Sequence, residues 1–180
     1  MQTARSFSVK QRIKMVGNEY WVLDDQGNTM AYAKQKMMAL KERVTFFTDE
    51  SKTQPVFSFQ ARNVLDAKAV CDVFDGEGRQ IGYFQKDFAK SLIRSTFYLD
   101  CAAGRFSGQE KSMAVGLLRR FGDLPLPYDF EFVGEGAVPA FHIALKMTLR
   151  DSYQISVANQ AIDGRVVAAL AVALDVLQNR

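Results

Sequence analysis

The side chains that could carry out chemistry in this chain are few and widely spaced. Its single histidine, His142, alternates with Ile143 and Leu145 and is predicted on the polar face of a strand. Catalysis through a histidine needs a nucleophile and an orienting acid nearby, and nothing in the sequence places them. We therefore expect a solvated histidine, no catalytic residues and a protein that is not an enzyme.

The two cysteines, Cys71 and Cys101, show neither a CxxC motif nor another metal-ligand spacing. Both lie in apolar runs, where a thiol behaves as a small hydrophobic group. Two cysteines are typical of a reduced, intracellular protein, and a disulfide between them is the less favoured alternative. The sequence predicts no metal site and no cofactor.

Three short polar motifs favour turns rather than ligand sites. Asp24 and Asp75 each begin a D-x-x-G sequence, and an aspartate at this position hydrogen-bonds the backbone ahead of it. The G-E-G sequences at 76–78 and 134–136 do not follow the phosphate-loop order G-x-x-x-x-G-K-[ST] and do not open a helix. We expect hairpin turns at all of them.

Basic side chains are the candidates for binding. Residues 1–120 carry 19 Lys and Arg against 13 Asp and Glu, whereas residues 121–180 carry 4 against 7. Lysine and arginine recognise phosphate by charge and hydrogen bonding, so this basic part could meet an anionic surface, and a solvated face is the alternative. The candidate lipid- or anion-binding residues are Lys10, Arg12 and Lys14 on the first strand, Lys34 and Lys36 after the first hairpin, and Lys86, Lys90 and Arg94 after the second.

Short alternating segments predict the strands that would position these residues. Residues 21–35 and 72–86 repeat at an offset of 51, and each copy is predicted to form a hairpin. The hairpins lie near 20–47 and 71–98, with a weak third copy near 128–149. Repeated hairpins favour an all-β sheet or barrel. Residues 109–121 predict a short helix or an irregular connection, followed by a stiff loop at 123–127.

The C-terminal segment predicts what the sheet encloses. Residues 166–177 are apolar on every side, and a soluble helix of this kind must be surrounded by protein. A closed barrel would surround it, and about 12 strands are needed because about eight already fill with their own side chains. We predict one mainly β domain over 1–180, a closed antiparallel barrel of about 12 strands around a central hydrophobic helix at about 165–177. Asp163 or Asn159 is predicted to cap this helix, and Asp175 has a predicted structural role at the barrel rim.

The apolar segments also bear on location. The longest is about 12 residues, whereas a membrane-spanning helix needs about 20. The N-terminal sequence lacks the apolar core of a signal peptide, and neither end matches a lipidation motif. We expect a cytoplasmic protein with no transmembrane segment, peripheral at the membrane if it binds lipid.

Three segments resemble a known group of proteins: VLDDQGNTMAYAKQK, VFDGEGRQIGYFQKDF and LRDSYQISVANQAIDGRVVAALAVALDVL. Their order resembles the tubby C-terminal-like superfamily, and more closely its LURP-one-related and phospholipid scramblase branches. The resemblance implies a barrel of about 12 strands around a central C-terminal helix. Tubby domains bind phosphoinositide headgroups through surface basic residues, and scramblases are linked to lipid movement and calcium binding.

The chain also departs from the scramblase pattern. It has no Pro-rich tail and no cysteine-rich palmitoylation stretch. The segment before the terminal helix keeps only Asp151 and Asp163, whereas a calcium site needs six to eight oxygen ligands. Calcium-driven lipid scrambling is therefore not expected.

The sequence leaves three functional hypotheses. The first is a non-catalytic module that binds anionic lipid headgroups or a partner protein at a membrane surface. The second is a small-molecule carrier or enzyme with a site at the barrel mouth, where barrels often bind ligands. The third is an interaction domain without a ligand of its own. Nucleic acid ranks below lipid, because no recognised binding motif is present.

Overall fold

A computed structural model describes residues 1–14, 17–35, 43–62, 70–87, 95–111, 129–146 and 152–178. Twelve strands and one α-helix lie in these ranges, and a short 3-10 turn at Glu135–Ala137 separates the tenth and eleventh strands. The elements are β1 (Ser6–Lys14), β2 (Gly17–Leu23), β3 (Thr29–Gln35), β4 (Val44–Phe47), β5 (Pro55–Ala61), β6 (Cys71–Asp75), β7 (Gln80–Lys86), β8 (Thr96–Cys101), β9 (Gly104–Glu110), β10 (Asp129–Val133), β11 (Pro139–Lys146), β12 (Ser152–Val157) and α1 (Gly164–Gln178).

The twelve strands form a closed antiparallel barrel. Each strand pairs with its neighbours in sequence, and β1 pairs with β12 to complete the circle. The closing register places Phe7 opposite Ile155 and Lys10 opposite Ser152. A closed sheet has no exposed edge strand onto which another chain could add. This architecture confirms the predicted fold class.

Alternating apolar side chains fill the barrel interior. On β1, Phe7 and Val9 are fully buried, whereas Lys10 and Arg12 are exposed on the outer surface. Gln11 shares the inner face, and its Nε2 donates to the Tyr20 hydroxyl at 3.4 Å. The other fully buried phenylalanines are Phe46, Phe57, Phe84, Phe97, Phe130 and Phe132.

The helix α1 occupies the centre of the barrel. Every residue from Val166 to Leu174 has zero exposure. Asp163 caps the helix, because its Oδ1 accepts the N–H of Arg165 at 2.9 Å. Gly82 on β7 lets the sheet approach the helix, since a Cβ at this position would lie 3.1 Å from a Val166 methyl group. The backbone of Asp175 lies in α1, and its side chain lies outside the described residues.

The connections between strands bring several turns to the end of the barrel where α1 begins, which we call the helix-entry end. The β2–β3, β4–β5, β6–β7, β8–β9 and β10–β11 turns lie there, together with residues 1–5. The Gln2 carbonyl accepts the N–H of Gly164 at 3.0 Å. Arg5 Nη2 donates to the Gln160 carbonyl at 2.6 Å. These bonds hold the first residues against the loop that leads into α1.

One segment differs from the sequence-based expectation. The short helix or irregular connection predicted for 109–121 is wrong at its start, because Gln109 and Glu110 belong to β9 and pair with β10. The β8–β9 hairpin was not singled out from the sequence, although Gly104 supplies the positive φ of 120° that follows its turn. Residues 112–121 and the predicted loop at 123–127 lie outside the described residues.

Candidate functional site

The turn between β2 and β3 is organised by one carboxylate. Oδ1 of Asp24 accepts the N–H groups of Gln26 and Asn28 at 2.9 and 2.8 Å, and Gly27 takes a φ of 87°. The Asn28 amide donates to Oδ2 of Asp24 at 3.0 Å. This side-chain bond and the backbone bonds lower the pKa of Asp24, because they stabilise the charged form. The aspartate has the structural role that the sequence predicted.

The turn between β6 and β7 repeats this plan with a different charge. Oδ1 of Asp75 accepts the N–H groups of Glu77 and Arg79 at 3.0 and 2.9 Å, and Gly78 takes a φ of 84°. Arg79 Nε donates to the second carboxylate oxygen at 2.9 Å. Burial acts to raise the pKa of Asp75, but the hydrogen bonds from Arg79 and Glu77 and the Arg79 charge outweigh it and the pKa is lowered.

A cleft of about 610 Å³ lies between this second turn and the start of α1. Asp163 and Arg165 line it and form a bidentate pair, with Nη2 and Nε of Arg165 at 2.7 and 3.1 Å from Oδ2 of Asp163. Asp75 and Arg79 line the same cleft and are also paired with each other. Any charged ligand would have to compete with these ion pairs.

The cleft also contains a thiol. Cys101 is partly buried beside Ala103 and is not joined to Cys71 by a disulfide. Burial raises the pKa of the Cys101 thiol, with a smaller contribution from the charge of Asp100. The thiol is therefore protonated at neutral pH, which is the less nucleophilic form.

The outer surface of β1–β3 carries exposed basic residues. We call Lys10, Arg12 and Lys34, with Glu19 and Trp21 between them, the basic face. The β1–β2 register places Lys10 opposite Trp21 and Arg12 opposite Glu19. Glu19 in turn lies opposite Lys34, whose Nζ is 3.7 Å from the carboxylate. Lys10 and Arg12 on β1 and Lys34 on β3 thus lie on either side of Glu19 and Trp21 on β2.

Lys10 and Arg12 have no carboxylate partner among the described residues, a property that they share with Arg5, Arg43 and Lys52. Both are exposed on one strand, and neither forms an ion pair with any other residue that the structure describes. Their charges are therefore available to an anionic ligand. By contrast, six described cations form ion pairs with carboxylates: Lys34, Arg62, Arg79, Arg105, Lys111 and Arg165.

Of the remaining predicted binding residues, the structure describes only the side chain of Lys86, which does not lie on this face. The side chain of Lys86 is on the inner face of β7, in line with Phe84, and only 7% of the residue is exposed. A buried lysine is not available to a membrane or a partner surface, so it is left out of the basic face. The Lys14 side chain and the residues Lys36, Lys90 and Arg94 lie outside the described residues.

A row of aromatic side chains crosses the same outer surface. Trp21 lies opposite Tyr32, and Tyr32 lies opposite Phe47 on β4. The Trp21 and Tyr32 ring centroids are 5.4 Å apart. Burial raises the pKa of Tyr32, and the charges of Glu19 and Glu50 add to this effect. Sequence reasoning missed Trp21, because its place beside Lys10 depends on the register of β1 and β2.

His142 lies on the outer surface of β11, the polar face on which the sequence placed it. Its ring is about one third exposed, and Nε2 hydrogen-bonds to Oδ1 of Asp129 on β10. Lys111 Nζ lies 3.7 Å from the same carboxylate oxygen. The histidine thus has a carboxylate partner that the sequence did not reveal, and no hydroxyl or thiol of the described residues is hydrogen-bonded to the ring.

The described residues contain neither a cluster of metal-ligating side chains nor a helix suited to crossing a bilayer. In the described ranges, no group of three or more His, Cys, Asp or Glu side chains is arranged to hold a metal ion. Among the described helical residues, no segment combines the length and the apolar character needed to cross a bilayer.

A closed barrel of twelve antiparallel strands around a buried C-terminal helix defines the class of fold to which this chain belongs. The profile of the LURP-one-related family matches residues 5–175, and the chain is a member of that family. A crystal structure of an Arabidopsis thaliana protein is similar, with 16% sequence identity and a TM-score of 0.52. The similarity covers 99% of this chain and 95% of that one, and it shows the fold. No curated protein matches the chain significantly in sequence.

Proposed function

We propose that this domain is a non-catalytic binding module whose basic face binds anionic lipid headgroups at a membrane surface. The observation that carries the proposal is the exposure of Lys10 and Arg12 on one strand, without a carboxylate partner among the described residues. The resemblance of the sequence to lipid-binding tubby domains points in the same direction. In this proposal the protein is cytoplasmic and peripheral at the membrane.

The expected affinity follows from the charges on the basic face. A basic residue near an anionic membrane surface contributes about 1 kcal/mol. Lys10 and Arg12 contribute fully, whereas Lys34 shares its charge with Glu19. We therefore expect weak binding of the isolated domain, and this binding should fall with ionic strength because exposed charges are screened over about 8 Å at physiological salt.

The proposal of a non-catalytic role rests on the residues that could perform catalysis. His142 is paired with the acid Asp129 but not with a nucleophile of the described residues. The Cys101 thiol has a raised pKa, which disfavours the reactive thiolate. Neither group forms the nucleophile–base–acid arrangement on which covalent catalysis depends.

Co-sedimentation with lipid vesicles tests the proposal. The protein would be mixed with neutral phosphatidylcholine vesicles and with vesicles containing phosphatidylserine, at low and at physiological salt. We expect sedimentation with the anionic vesicles alone, weaker at the higher salt. Absence of binding to anionic vesicles at low salt would contradict the lipid proposal and would direct attention to an acidic protein partner for the same face.

A second candidate function is small-molecule binding at the helix-entry end. The cleft of about 610 Å³ beside Asp163 and Arg165 favours it. Native mass spectrometry of the purified protein tests this alternative. A bound mass that disappears in a Tyr83→Ala variant, which removes one wall of the cleft, would support it. The bare mass of the chain in both proteins would count against it.

A further inference from the structure

The one tryptophan of this chain lies on the face that we propose to be the lipid-binding surface. Trp21 is on the outer surface of β2, directly opposite Lys10 in the β1–β2 register. Its ring is partly exposed, although the large apolar side chains of the described residues are otherwise mostly buried. A partly exposed indole beside two cations that have no carboxylate partner in the described ranges combines the two chemistries of a membrane interface.

We infer that Trp21 is an aromatic anchor that enters the headgroup region of an anionic bilayer when Lys10 and Arg12 bind its phosphates. Tryptophan favours this depth, because its ring is largely apolar and its indole N–H can still reach polar groups. The inference rests on the proposed lipid function, and it adds an apolar component that the cations alone do not supply.

The neighbours of Trp21 hold the ring in place for this role. Its ring packs against Tyr32 on the neighbouring strand, with ring centroids 5.4 Å apart and planes inclined at 52°. Tyr32 is itself almost fully buried and lies opposite Phe47 on the next strand. An anchor supported by buried rings loses little side-chain freedom on binding, which lowers the cost of insertion.

Charge complementarity identifies the occupant of this face as an anionic bilayer. Lys10 lies opposite the indole on β1 and Arg12 lies opposite Glu19, an acid that is paired with Lys34. The carboxylates Asp24 and Asp25 lie beyond Trp21, at the helix-entry end of the same hairpin. An anionic surface would be repelled there, so the contact is centred on the Arg12 side of Trp21.

The intrinsic fluorescence of the chain tests this inference, because all tryptophan emission comes from Trp21. The wild-type protein would be titrated with phosphatidylserine-containing vesicles, with and without brominated phosphatidylcholine. We expect a blue shift of the emission and quenching by the brominated lipid. Truncation in Trp21→Ala is expected to weaken the partition coefficient about tenfold, and the smaller change Trp21→Phe less, because an aromatic ring remains.

A matched control moves the reporter across the barrel. In the double variant Trp21→Phe, Tyr98→Trp, the only indole would lie on the outer surface of β8, six strands from β2 in a barrel of twelve. Its emission should not respond to the brominated lipid, even though the protein still binds through Lys10 and Arg12. A response equal to that of Trp21 would overturn the inference.

The outcomes separate the two proposals. If the protein sediments with anionic vesicles but Trp21 emission is unchanged and Trp21→Ala binds as tightly as the wild type, the anchor is overturned while headgroup binding stands. If the protein does not sediment with anionic vesicles, the lipid function is overturned and the anchor with it.

Discussion

The β2–β3 and β6–β7 hairpins have the same kind of turn, but the side chains on their outer surfaces make different contacts. Tyr32 and Tyr83 occupy equivalent positions at the offset of 51 residues. Tyr32 packs against Trp21, whereas the Tyr83 hydroxyl donates to Asp100 at 3.2 Å and the Arg62 guanidinium lies 5.4 Å from its ring centroid. The two copies of the repeat therefore have the same backbone turn, but the contacts of their outward-facing side chains differ.

The basic residues around the two hairpins also differ in whether they are paired with carboxylates. Around the second hairpin, Arg62 forms two hydrogen bonds to Asp72, at 3.0 and 2.5 Å, and Arg79 is paired with Asp75. Around the first hairpin, Lys10 and Arg12 have no such partner among the described residues. Because the charges around the second hairpin are paired with one another, the proposed anion binding falls on the face that β1 forms with the first hairpin.

The largest expected effect comes from removing the two exposed cations of β1, Lys10 and Arg12. The double variant Lys10→Gln, Arg12→Gln should bind anionic vesicles about 30-fold more weakly, since each basic residue contributes about 1 kcal/mol near the surface. Partition coefficients from co-sedimentation measure this change. The matched control Arg105→Gln, Lys111→Gln removes the same charge from paired positions on another part of the barrel and should weaken binding less than about threefold. Equal losses in both variants would show that only the net charge matters.

The next effect concerns the stability that each turn supplies. Asp75→Ala should lower the melting temperature by several degrees, because it removes the acceptor for the N–H groups of Glu77 and Arg79 and the more buried of the two carboxylates paired with the Arg79 guanidinium. Asp24→Ala should lower it less, since Asp24 is the more exposed of the two and its side-chain partner, Asn28, is uncharged. Thermal unfolding followed by circular dichroism compares the variants. A larger loss for Asp24→Ala would reverse this ranking.

Acid should weaken both turns. The pKa of Asp24 is lowered by hydrogen bonds from Asn28, and that of Asp75 is lowered in spite of its burial. Because the folded-state values lie below the ordinary 3.8, the carboxylates stabilise the fold above that pH and lose this contribution as pH falls through the folded-state values. The melting temperature should begin to fall as the pH approaches about 4 and should keep falling below 3.8, less steeply in Asp24→Asn, Asp75→Asn. Parallel curves for the two proteins would contradict this assignment.

The smallest effect is expected from exchanging the residue that distinguishes the two turns. Arg79→Asn gives the second turn the residue of the first, in which the Asn28 amide donates to Asp24 at 3.0 Å. The melting temperature should stay within about 2 °C of the wild type, because an amide replaces a guanidinium at an exposed position. A loss as large as that of Asp75→Ala would show that the charge of Arg79 holds the turn together.

The sequence was sufficient for the architecture because the barrel depends on patterns that are visible in one strand or one helix. Alternation placed Phe7 inside and Lys10 outside, and the uniformly apolar segment after Asp163 required an enclosing sheet. Both features follow from hydrophobic burial, which acts residue by residue. The same local pattern also predicted the D-x-x-G turns at Asp24 and Asp75.

The candidate site was less predictable, because it depends on which strands lie side by side. The pairing of Lys10 with Trp21 and of Lys34 with Glu19 is set by register, which no single strand reveals. Lys86 is the last residue of β7, and its position in the alternation of that strand turns it inward. Charge counted along the chain therefore overestimates the charge available on one surface.

The salt dependence of vesicle binding tests the central claim most directly. The partition coefficient onto phosphatidylserine-containing vesicles would be measured over a range of ionic strength for the wild type and for Lys10→Gln, Arg12→Gln. If these two cations supply the attraction, the wild type should lose affinity steeply with salt and the variant should bind weakly with a much shallower slope. Equal slopes and equal affinities for the two proteins would contradict the assignment of anion binding to the basic face.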